Sequence, residues 1–441
     1  MPGPLTPMFA FARLRLFALF AALATVHSSP AVVPSESAPS KSRPNVVVVV
    51  IDDMGMEDLE TLAPKTLMAL ASRGRFFANF FVCPTCSPSR AALQFGRYSV
   101  RDGVHGVLNP HSLEEHGVPP QRISIAEALG ERGYATACFG KWHVSTRADT
   151  LLRESAREHG YDRWLAGNPG NLGREGDDTH FEWHRIDDGV MLPSYEYSSS
   201  AVTAAFEAWW SASPDAPRFA VVNYFTPHEP FTPPPAELLP AGHVVGKSTR
   251  DRYESSVLAL DHLLGDLVAA IDFSNTYLFV FSDNGTPHQV PPPTRRSRGY
   301  KLSAWQGGVN VPLFVVGPRV EPGISEHLAH AVDVPRTVLE LCGAAPGSGF
   351  EDSVSFARAL IGDAPPRAPI YVHNTFNFDP GIYAQDCWAV IDAKLMKLVS
   401  HDGEEKLFDV ARDPGERSPI VDAAESARLR AVRDAIVGRS Q

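Results

Sequence analysis

Cysteine is scarce in this chain, and the few positions limit the chemistry that cysteine can support. The 441 residues include five cysteines: Cys83, Cys86, Cys138, Cys342 and Cys387. An odd number cannot pair completely, and the sequence does not decide whether any disulfide forms. Cys83-Pro84-Thr85-Cys86 has the C-x-x-C spacing of redox and zinc sites, but no second cysteine pair follows to complete a zinc site. The pattern therefore favours a different role for Cys86.

Long apolar runs are also missing. Arg13 and Arg15 precede one apolar run, Leu16 to Val26, which is too short to cross a bilayer. Small residues follow it, so residues 1–28 are predicted to be a signal peptide, cleaved between Ala24 and Ser28, and the protein to be secreted or periplasmic. An uncleaved N-terminal anchor is the alternative. No later stretch resembles a stable membrane span.

The chain has no excess of positive charge. Residues 1–28 contain two arginines and no acidic residue, so their removal leaves 38 basic and 51 acidic residues, a net charge of −13. Such a protein is a poor general partner for nucleic acid, and a polyanionic ligand would need a local basic pocket. The hydrophobic content of 44% is enough for a substantial core.

Four apolar runs share one layout, in which a strand-like segment ends at polar residues. They are Asn45 to Ile51 before Asp52-Asp53, Ala135 to Phe139 before Lys141 and His143, Phe219 to Phe225 before His228, and Tyr277 to Phe281 before Asp283-Asn284. Helical patterns lie between them, at 124–132 and 253–271. This alternation predicts an α/β fold with a mostly parallel central sheet flanked by helices. Because ligands bind at the carboxyl ends of such strands, the four polar ends should form one crevice.

The character of the chain changes near residue 365. Short strand candidates follow at 370–373, 387–391, 396–399 and 407–410, with a turn at Asp402-Gly403 and a final helix from Ala423 to Val437. We therefore expect a flexible leader at 29–43, a catalytic domain at 44–364 and a small C-terminal antiparallel α+β subdomain at 365–441.

Asp52, Asp53, Asp283 and Asn284 offer only oxygen ligands, which suit Ca²⁺ or Mg²⁺ better than zinc. Either pair alone could simply cap a helix. Two such pairs at matching positions after two strands favour a metal site.

The run Cys86-Ser87-Pro88-Ser89-Arg90 has the pattern in which cysteine is oxidised to Cα-formylglycine, whose hydrated aldehyde can attack sulfur. With the following residues up to Arg97, it resembles the signature of the type I, formylglycine-dependent sulfatases of the alkaline-phosphatase superfamily. Gln94 and Phe95 stand where that signature has Leu and Thr or Ser. The resemblance implies an alkaline-phosphatase-like fold, maturation by a formylglycine-generating enzyme, and an Arg90 that neutralises charge beside the nucleophile.

Further motifs extend the resemblance over residues 44–420. Gly140-Lys141-Trp142-His143 implies that Lys141 binds a sulfate oxygen and that His143 assists the formylglycine as a base. Thr226-Pro227-His228-Glu229-Pro230-Phe231 implies that His228 contacts the sulfate and protonates the leaving group.

Lys301 precedes Gln306-Gly307-Gly308-Val309-Asn310, which resembles a family segment whose Lys reaches the bridging ester oxygen. Gln306 replaces the usual Glu, and Asn310 replaces a common Arg. The resemblance further implies one divalent ion, usually calcium, bound by residue 86 together with the four oxygen donors named above.

We therefore expect hydrolysis of a sulfate ester on a small molecule or glycan, with a carbohydrate as the expected carrier. The same scaffold could hydrolyse phosphonate monoesters or phosphodiesters, and an inactive sulfoglycan-binding relative is a further alternative. Two segments could select the substrate or be ordinary loops: Arg295-Arg296-Ser297-Arg298, and the stretch with His180, Trp183 and His184.

Overall fold

The computed structural model describes residues 43–173, 179–212, 216–344, 347, 349–375 and 386–438. The predicted signal peptide and all but the last residue of the predicted leader lie outside these ranges. Within them, no helix is long and apolar enough to cross a membrane.

Among the described residues, the main sheet has ten strands in the order β11-β2-β10-β9-β1-β8-β4-β5-β6-β7. The strands of this sheet are β1 (Asn45–Ile51), β2 (Arg75–Phe77), β4 (Ala135–Lys141), β5 (Arg163–Asn168), β6 (Trp183–Asp187), β7 (Val190–Ser194), β8 (Arg218–Asn223), β9 (Thr276–Ser282), β10 (Leu313–Val316) and β11 (Gly323–Ser325). The five inner strands, from β9 to β5, run parallel, whereas β10 pairs antiparallel with both β9 and β2, and the β6–β7 hairpin is antiparallel at the other edge. A separate parallel pair joins β3 (Phe80–Phe81) to β12 (Ala329–His330).

The strand β1 explains why the sheet is covered on both faces. Its five consecutive valines are fully buried. Val46, Val48 and Val50 belong to one apolar core, while Val47 and Val49 belong to another, because alternate side chains of a strand point to opposite faces. A parallel strand buried on both sides is expected to have such a continuous β-branched run.

Helices form the layers above and below the sheet. The helices are α1 (Met56–Leu62), α2 (Lys65–Arg73), α3 (Cys86–Phe95), α4 (Ile125–Gly130), α5 (Ser155–Glu158), α6 (Ser198–Ser211), α7 (Thr249–Ala269), α8 (Gln306–Val309), α9 (Val334–Leu341) and α10 (Ala423–Val437). Helices α3, α4 and α9 contribute to one core, and α1, α2, α6 and α7 to the other. The predicted α/β architecture with a mostly parallel central sheet is confirmed.

A smaller antiparallel sheet follows in the C-terminal part of the chain. It contains β13 (Ile370–Thr375), β14 (Asp386–Ile391), β15 (Met396–His401) and β16 (Glu404–Asp409) in sequence order. Asp402 and Gly403 both have positive φ, at 48° and 84°, as the tight β15–β16 turn requires. Helix α10 packs on β14 and β15 through Leu429 and Ile436. The predicted small C-terminal antiparallel subdomain is thus present.

Candidate active site

The carboxyl ends of β1, β4, β8 and β9 meet at one edge of the sheet, as the sequence predicted. The first residues after β1 are Asp52 and Asp53, and those after β9 are Asp283 and Asn284. Lys141 is the last residue of β4, where a register shift accompanies Gly140. Gly140 has φ 73°, and a Cβ there would lie 1.9 Å from the Asn223 carbonyl oxygen, so only glycine allows β4 and β8 to approach this closely.

Cys86 is the first residue of helix α3, whose ten residues are all buried. The side chain of the preceding Thr85 donates to Asn374 Oδ1 at 2.7 Å, and this contact joins the helix start to the C-terminal sheet. Cys86 Sγ lies 3.3 Å from His143 Nδ1. All five cysteines are free thiols, so Cys83 and Cys86 do not form a disulfide.

His143 is oriented so that one ring nitrogen faces Cys86. Its Nε2 donates to the carbonyl oxygen of Leu108 at 3.0 Å, which leaves Nδ1 as the accepting nitrogen of the neutral ring. Burial, together with the positive charge of Lys141, holds the pKa of His143 well below its ordinary value, so the ring is neutral. Its φ of 62° is costly for a residue other than glycine, and such conformations are concentrated at functional sites.

Asp52 and Asp53 are the centre of a buried acidic cluster. Asp53 also has positive φ, 77°, and its carboxylate receives Asn284 Nδ2 at 2.6 Å. Ligand atoms of Asp52, Asp53 and His228 all lie within 4.8 Å of one another. Among the described residues, Asp52 Oδ1 and Asn284 Oδ1 are buried and accept no hydrogen bond. Two unpaired buried oxygens beside carboxylates are a donor set that fits a hard divalent cation.

Three cationic side chains lie against the carboxylates of Asp52, Asp53 and Asp283. Lys141 Nζ lies 2.6 Å from Asp52 Oδ2, and Lys301 Nζ lies 2.6 Å from Asp53 Oδ1. Arg90 donates from Nε to Asp283 Oδ2 at 2.9 Å, with Nη2 2.8 Å from the same oxygen.

The charges divide the acids into two groups. Burial alone would raise the pKa of Asp52, but the positive charges of Lys141 and Arg90 outweigh it and lower this pKa. Burial and the neighbouring charge of Asp52 instead raise the pKa of both Asp53 and Asp283, against the opposing charges of Lys301 and Arg90. Asp52 is therefore the most firmly ionised member of the cluster.

His228 lies on the Asp53 side of the site. Its Nδ1 donates to the carbonyl oxygen of Glu229 at 2.7 Å, and its Nε2 is 3.7 Å from Asp53 Oδ2. Burial and the charge of Lys301 hold the pKa of His228 well below its ordinary value. Donation of a proton from Nε2 therefore requires the imidazolium form.

Lys301 shares this side of the site. Its side chain is 11% exposed, and the carboxylate of Asp53 raises its pKa despite the opposing effect of burial, so it remains charged.

Sequence reasoning missed residues that hold the predicted ones. Asn223 Oδ1 accepts from Arg90 Nη1 at 2.8 Å, and its Nδ2 donates to the Phe139 carbonyl oxygen. Asp58 accepts from Tyr253 Oη at 2.7 Å and from the backbone N–H of Gly55, and the same Tyr253 Oη lies 2.9 Å from the Asp53 carbonyl oxygen. A polar residue at the end of an apolar strand was the available signal for Asn223.

Several residues of the two segments suggested for substrate selection make contacts within the protein instead. Trp183 is 1% exposed and packs in the core, so it cannot stack on a ligand. His180 is buried, and its Nε2 donates to the His228 carbonyl oxygen at 3.0 Å, so it supports the loop of that residue. Arg296 pairs with Glu60, and Arg298 lies over the ring of Trp305.

Comparisons with known proteins identify the family of this chain. A family model described as Sulfatase matches residues 44–344. Steryl-sulfatase of Mus musculus is 29% identical over 91% of this chain and 82% of the relative, and N-acetylgalactosamine-6-sulfatase of Canis lupus familiaris is 25% identical over 86% and 81%.

Among solved structures, Ps i-CgsB superposes with a TM-score of 0.78 at 22% identity, over 91% of this chain and 94% of that chain. A further structure of Ps i-CgsB, in complex with k-i-k-neocarrahexaose, superposes with a TM-score of 0.77. The family match covers more than half of the chain, so this protein belongs to the sulfatase family and is a sulfuric ester hydrolase.

Proposed function

We propose that this protein hydrolyses a sulfate ester of a carbohydrate, with a hydrated formylglycine made from Cys86 as the nucleophile and one Ca²⁺ as the cation. The observation that carries the proposal is the contact between Cys86 and His143 beside the acidic cluster. Type I sulfatases combine such a modified cysteine with a divalent ion. This chain has Cys86 in the matching motif and buried oxygens that suit such an ion.

One hydroxyl of the hydrated aldehyde at residue 86 would attack sulfur and pass its proton to a carboxylate of the acidic cluster, while the ester S–O bond to the leaving oxygen breaks. His143 Nδ1 is 3.3 Å from the position of the sulfur that the modification replaces, and its other nitrogen is held by Leu108. It can therefore accept the proton of the second hydroxyl, after which the carbon–oxygen bond to sulfate breaks and the aldehyde reforms. A serine at this position would lack the second hydroxyl and would stay sulfated.

Asp52, Asp53, Asp283, Asn284 and residue 86 would hold the cation. When bound, Ca²⁺ supplies positive charge that polarises the sulfate oxygens. One oxygen each of Asp52 and Asn284 accepts no hydrogen bond from any described residue, which supports this assignment. Asp283 Oδ2 is already engaged by Arg90, so Arg90 would also fix the orientation of that carboxylate.

The remaining charged groups would bind the ester from two sides. Lys141 lies on the Asp52 side with Arg90 and is suited to a sulfate oxygen. Lys301 and His228 lie on the Asp53 side and are suited to the leaving oxygen. Lys301, which stays charged, stabilises the developing negative charge, and His228 supplies the proton once it is charged itself.

A carbohydrate is proposed as the carrier because two similar proteins act on or bind one by name: the N-acetylgalactosamine-6-sulfatase, and Ps i-CgsB in its neocarrahexaose complex. Secretion through residues 1–28, and a catalytic domain at 44–364 with a C-terminal subdomain at 365–441, complete the proposal.

The test is product release by protein co-expressed with a formylglycine-generating enzyme, with Cys86→Ala as the blank. The substrates are 4-nitrophenyl sulfate, several sulfated saccharides, a phosphonate monoester and a phosphodiester. Release of sulfate from one saccharide, absent in the blank, is the expected result. Preference for the phosphorus esters, or turnover that survives in Cys86→Ala, would contradict the proposal. Mass measurement of the peptide with residue 86 establishes that the modification is present.

A further inference from the structure

The segment 298–308 carries Lys301 and connects two parts of the proposed site. The backbone N–H of Lys301 donates to the Thr286 carbonyl oxygen at 2.9 Å, just after the Asp283-Asn284 pair. The N–H of Leu302 donates to the Pro84 carbonyl oxygen at 2.8 Å, just before Cys86. A shift of this segment would therefore move the Lys301 ammonium relative to both the acidic cluster and the nucleophile.

The outer side of the same segment lies against the C-terminal sheet. The Trp305 ring stacks on His401 of β15 with centroids 4.7 Å apart and an interplanar angle of 7°. Arg298 makes a second contact with the Trp305 ring, with its guanidinium carbon 3.7 Å from the ring centroid. The backbone N–H of Gln306 donates to Glu416 Oε2 at 2.7 Å.

Glu416 is itself held by a buried charge. Its Oε1 lies 2.6 Å from Lys397 Nζ of β15, and both side chains are 0% exposed. Its backbone φ of 50° lies in the left-handed region, which is costly for a residue other than glycine. Apolar residues of similar size generally stabilise a protein at least as well as a buried ion pair. The pair is therefore weak evidence for a role in stability alone.

We propose that Glu416 is a positioning residue for Lys301. One carboxylate oxygen is fixed by Lys397, and the other fixes the segment 298–308 through the Gln306 N–H. This inference rests on the proposed role of Lys301 at the leaving oxygen. The side-chain and carbonyl contacts of Glu416 within the described residues are to Lys397, Gln306 and Arg298, none of them in the proposed site. Glu416 therefore acts through the segment, and the C-terminal part of the chain contributes to catalysis without contacting the substrate there.

Two double variants test the inference without leaving a buried charge unpaired. Glu416→Ala with Lys397→Met removes both charges and the acceptor of the Gln306 N–H. Glu416→Gln with Lys397→Met removes both charges but keeps an acceptor oxygen. Arg367→Met, which breaks a different buried pair with Asp333, controls for general loss of stability.

The expected result depends on the leaving group. The Ala-containing variant should lose about 10- to 100-fold in kcat/KM on an alkyl or sugar sulfate, because small misplacements of a catalytic group carry costs of this order. The loss should be smaller on 4-nitrophenyl sulfate, whose leaving group needs little stabilisation. The Gln-containing variant should recover most of the activity, and Arg367→Met should retain its kcat. In a Lys301→Met background the Ala-containing variant should cause no further loss.

Equal losses in the two double variants, or a loss that multiplies with that of Lys301→Met, would overturn the inference. Amide hydrogen exchange separates it from the proposed function. If Lys301→Met leaves turnover unchanged, the proposed role of Lys301 fails, and exchange within 298–308 then decides the positioning role alone. Faster exchange in the Ala-containing variant than in its Gln counterpart supports it, and equal exchange overturns it.

Discussion

Replacing Lys141 with methionine tests the charge balance of the site most directly. The Lys141 ammonium is 0% exposed and 2.6 Å from Asp52 Oδ2, while Asp52 is 2% exposed. Methionine fills a similar volume but carries no charge. Among the positive charges that offset the burial of Asp52, Lys141 has the largest effect in lowering the pKa of this residue. Its removal therefore leaves a buried carboxylate with one cation fewer.

The expected magnitudes follow from these contacts. Removing one partner of a buried ion pair costs about 3–5 kcal/mol in the free energy of unfolding. We expect a value toward the lower end, because Arg90 Nη2 remains 4.0 Å from Asp52 Oδ2. Loss of a preorganised donor to the transferring group lowers kcat by about 10²- to 10³-fold.

Denaturant unfolding and kcat/KM on an aryl sulfate measure the two effects, with the formylglycine content determined in each sample. Lys406→Met is the control, because Lys406 pairs with Glu404, which is 73% exposed, and such pairs contribute about 0–1 kcal/mol. A stability loss in Lys141→Met no larger than in this control would refute the buried-pair reasoning. A kcat/KM of Lys141→Met within about threefold of that of the protein without the substitution would refute the role of Lys141 in binding the transferring group.

Two further predictions concern the cation and the pH dependence of stability. Chelation should abolish turnover and lower the melting temperature, with both restored by Ca²⁺, because buried oxygens of Asp52 and Asn284 accept no hydrogen bond from the described part of the chain. Activity unchanged by chelator would contradict a cation requirement. Burial lowers the pKa of His330 to about 3, whereas the pKa of this residue in the unfolded chain is about 6.5. The free energy of unfolding should therefore be highest above pH ~6.5 and should fall by about 1.4 kcal/mol per pH unit as the pH decreases toward about 3. His330→Asn keeps an acceptor for the Val332 N–H and should remove this contribution of about 1.4 kcal/mol per pH unit from the pH dependence of the free energy of unfolding. An unchanged pH dependence would count against a buried neutral ring at His330.

The inner strands could be predicted from sequence because burial on both faces imposes a recognisable pattern. The predicted strand from Asn45 to Ile51 has the observed bounds of β1. The edge strands could not be predicted in the same way. Strand β2 has three residues, too few to show a period, and β7 exposes Val190, Met191 and Leu192, so its apolar residues do not indicate a buried face.

The candidate site was predictable where side chains follow strands or motifs. The contact that orients His143 was not, because its acceptor is the backbone carbonyl of Leu108, and a carbonyl has no sequence signature. The link from Glu416 to Gln306 also runs through backbone, over 110 positions. Position 306 illustrates the point: the Gln differs from the related motif, yet the group that Glu416 holds there is the N–H, which does not depend on the side chain.

The buried charges explain how an acidic protein can bind an anion. The chain has a formal net charge of −11, which disfavours a sulfate ester at long range. Within the site, however, Arg90, Lys141 and Lys301 each lie against one of three carboxylates, so these charges nearly cancel. A divalent cation added to a neutral set gives a local excess of about two positive charges in a medium of low dielectric, where charge acts strongly. The proposed ion would therefore set the affinity for the anionic ester, while the three basic residues would set its orientation.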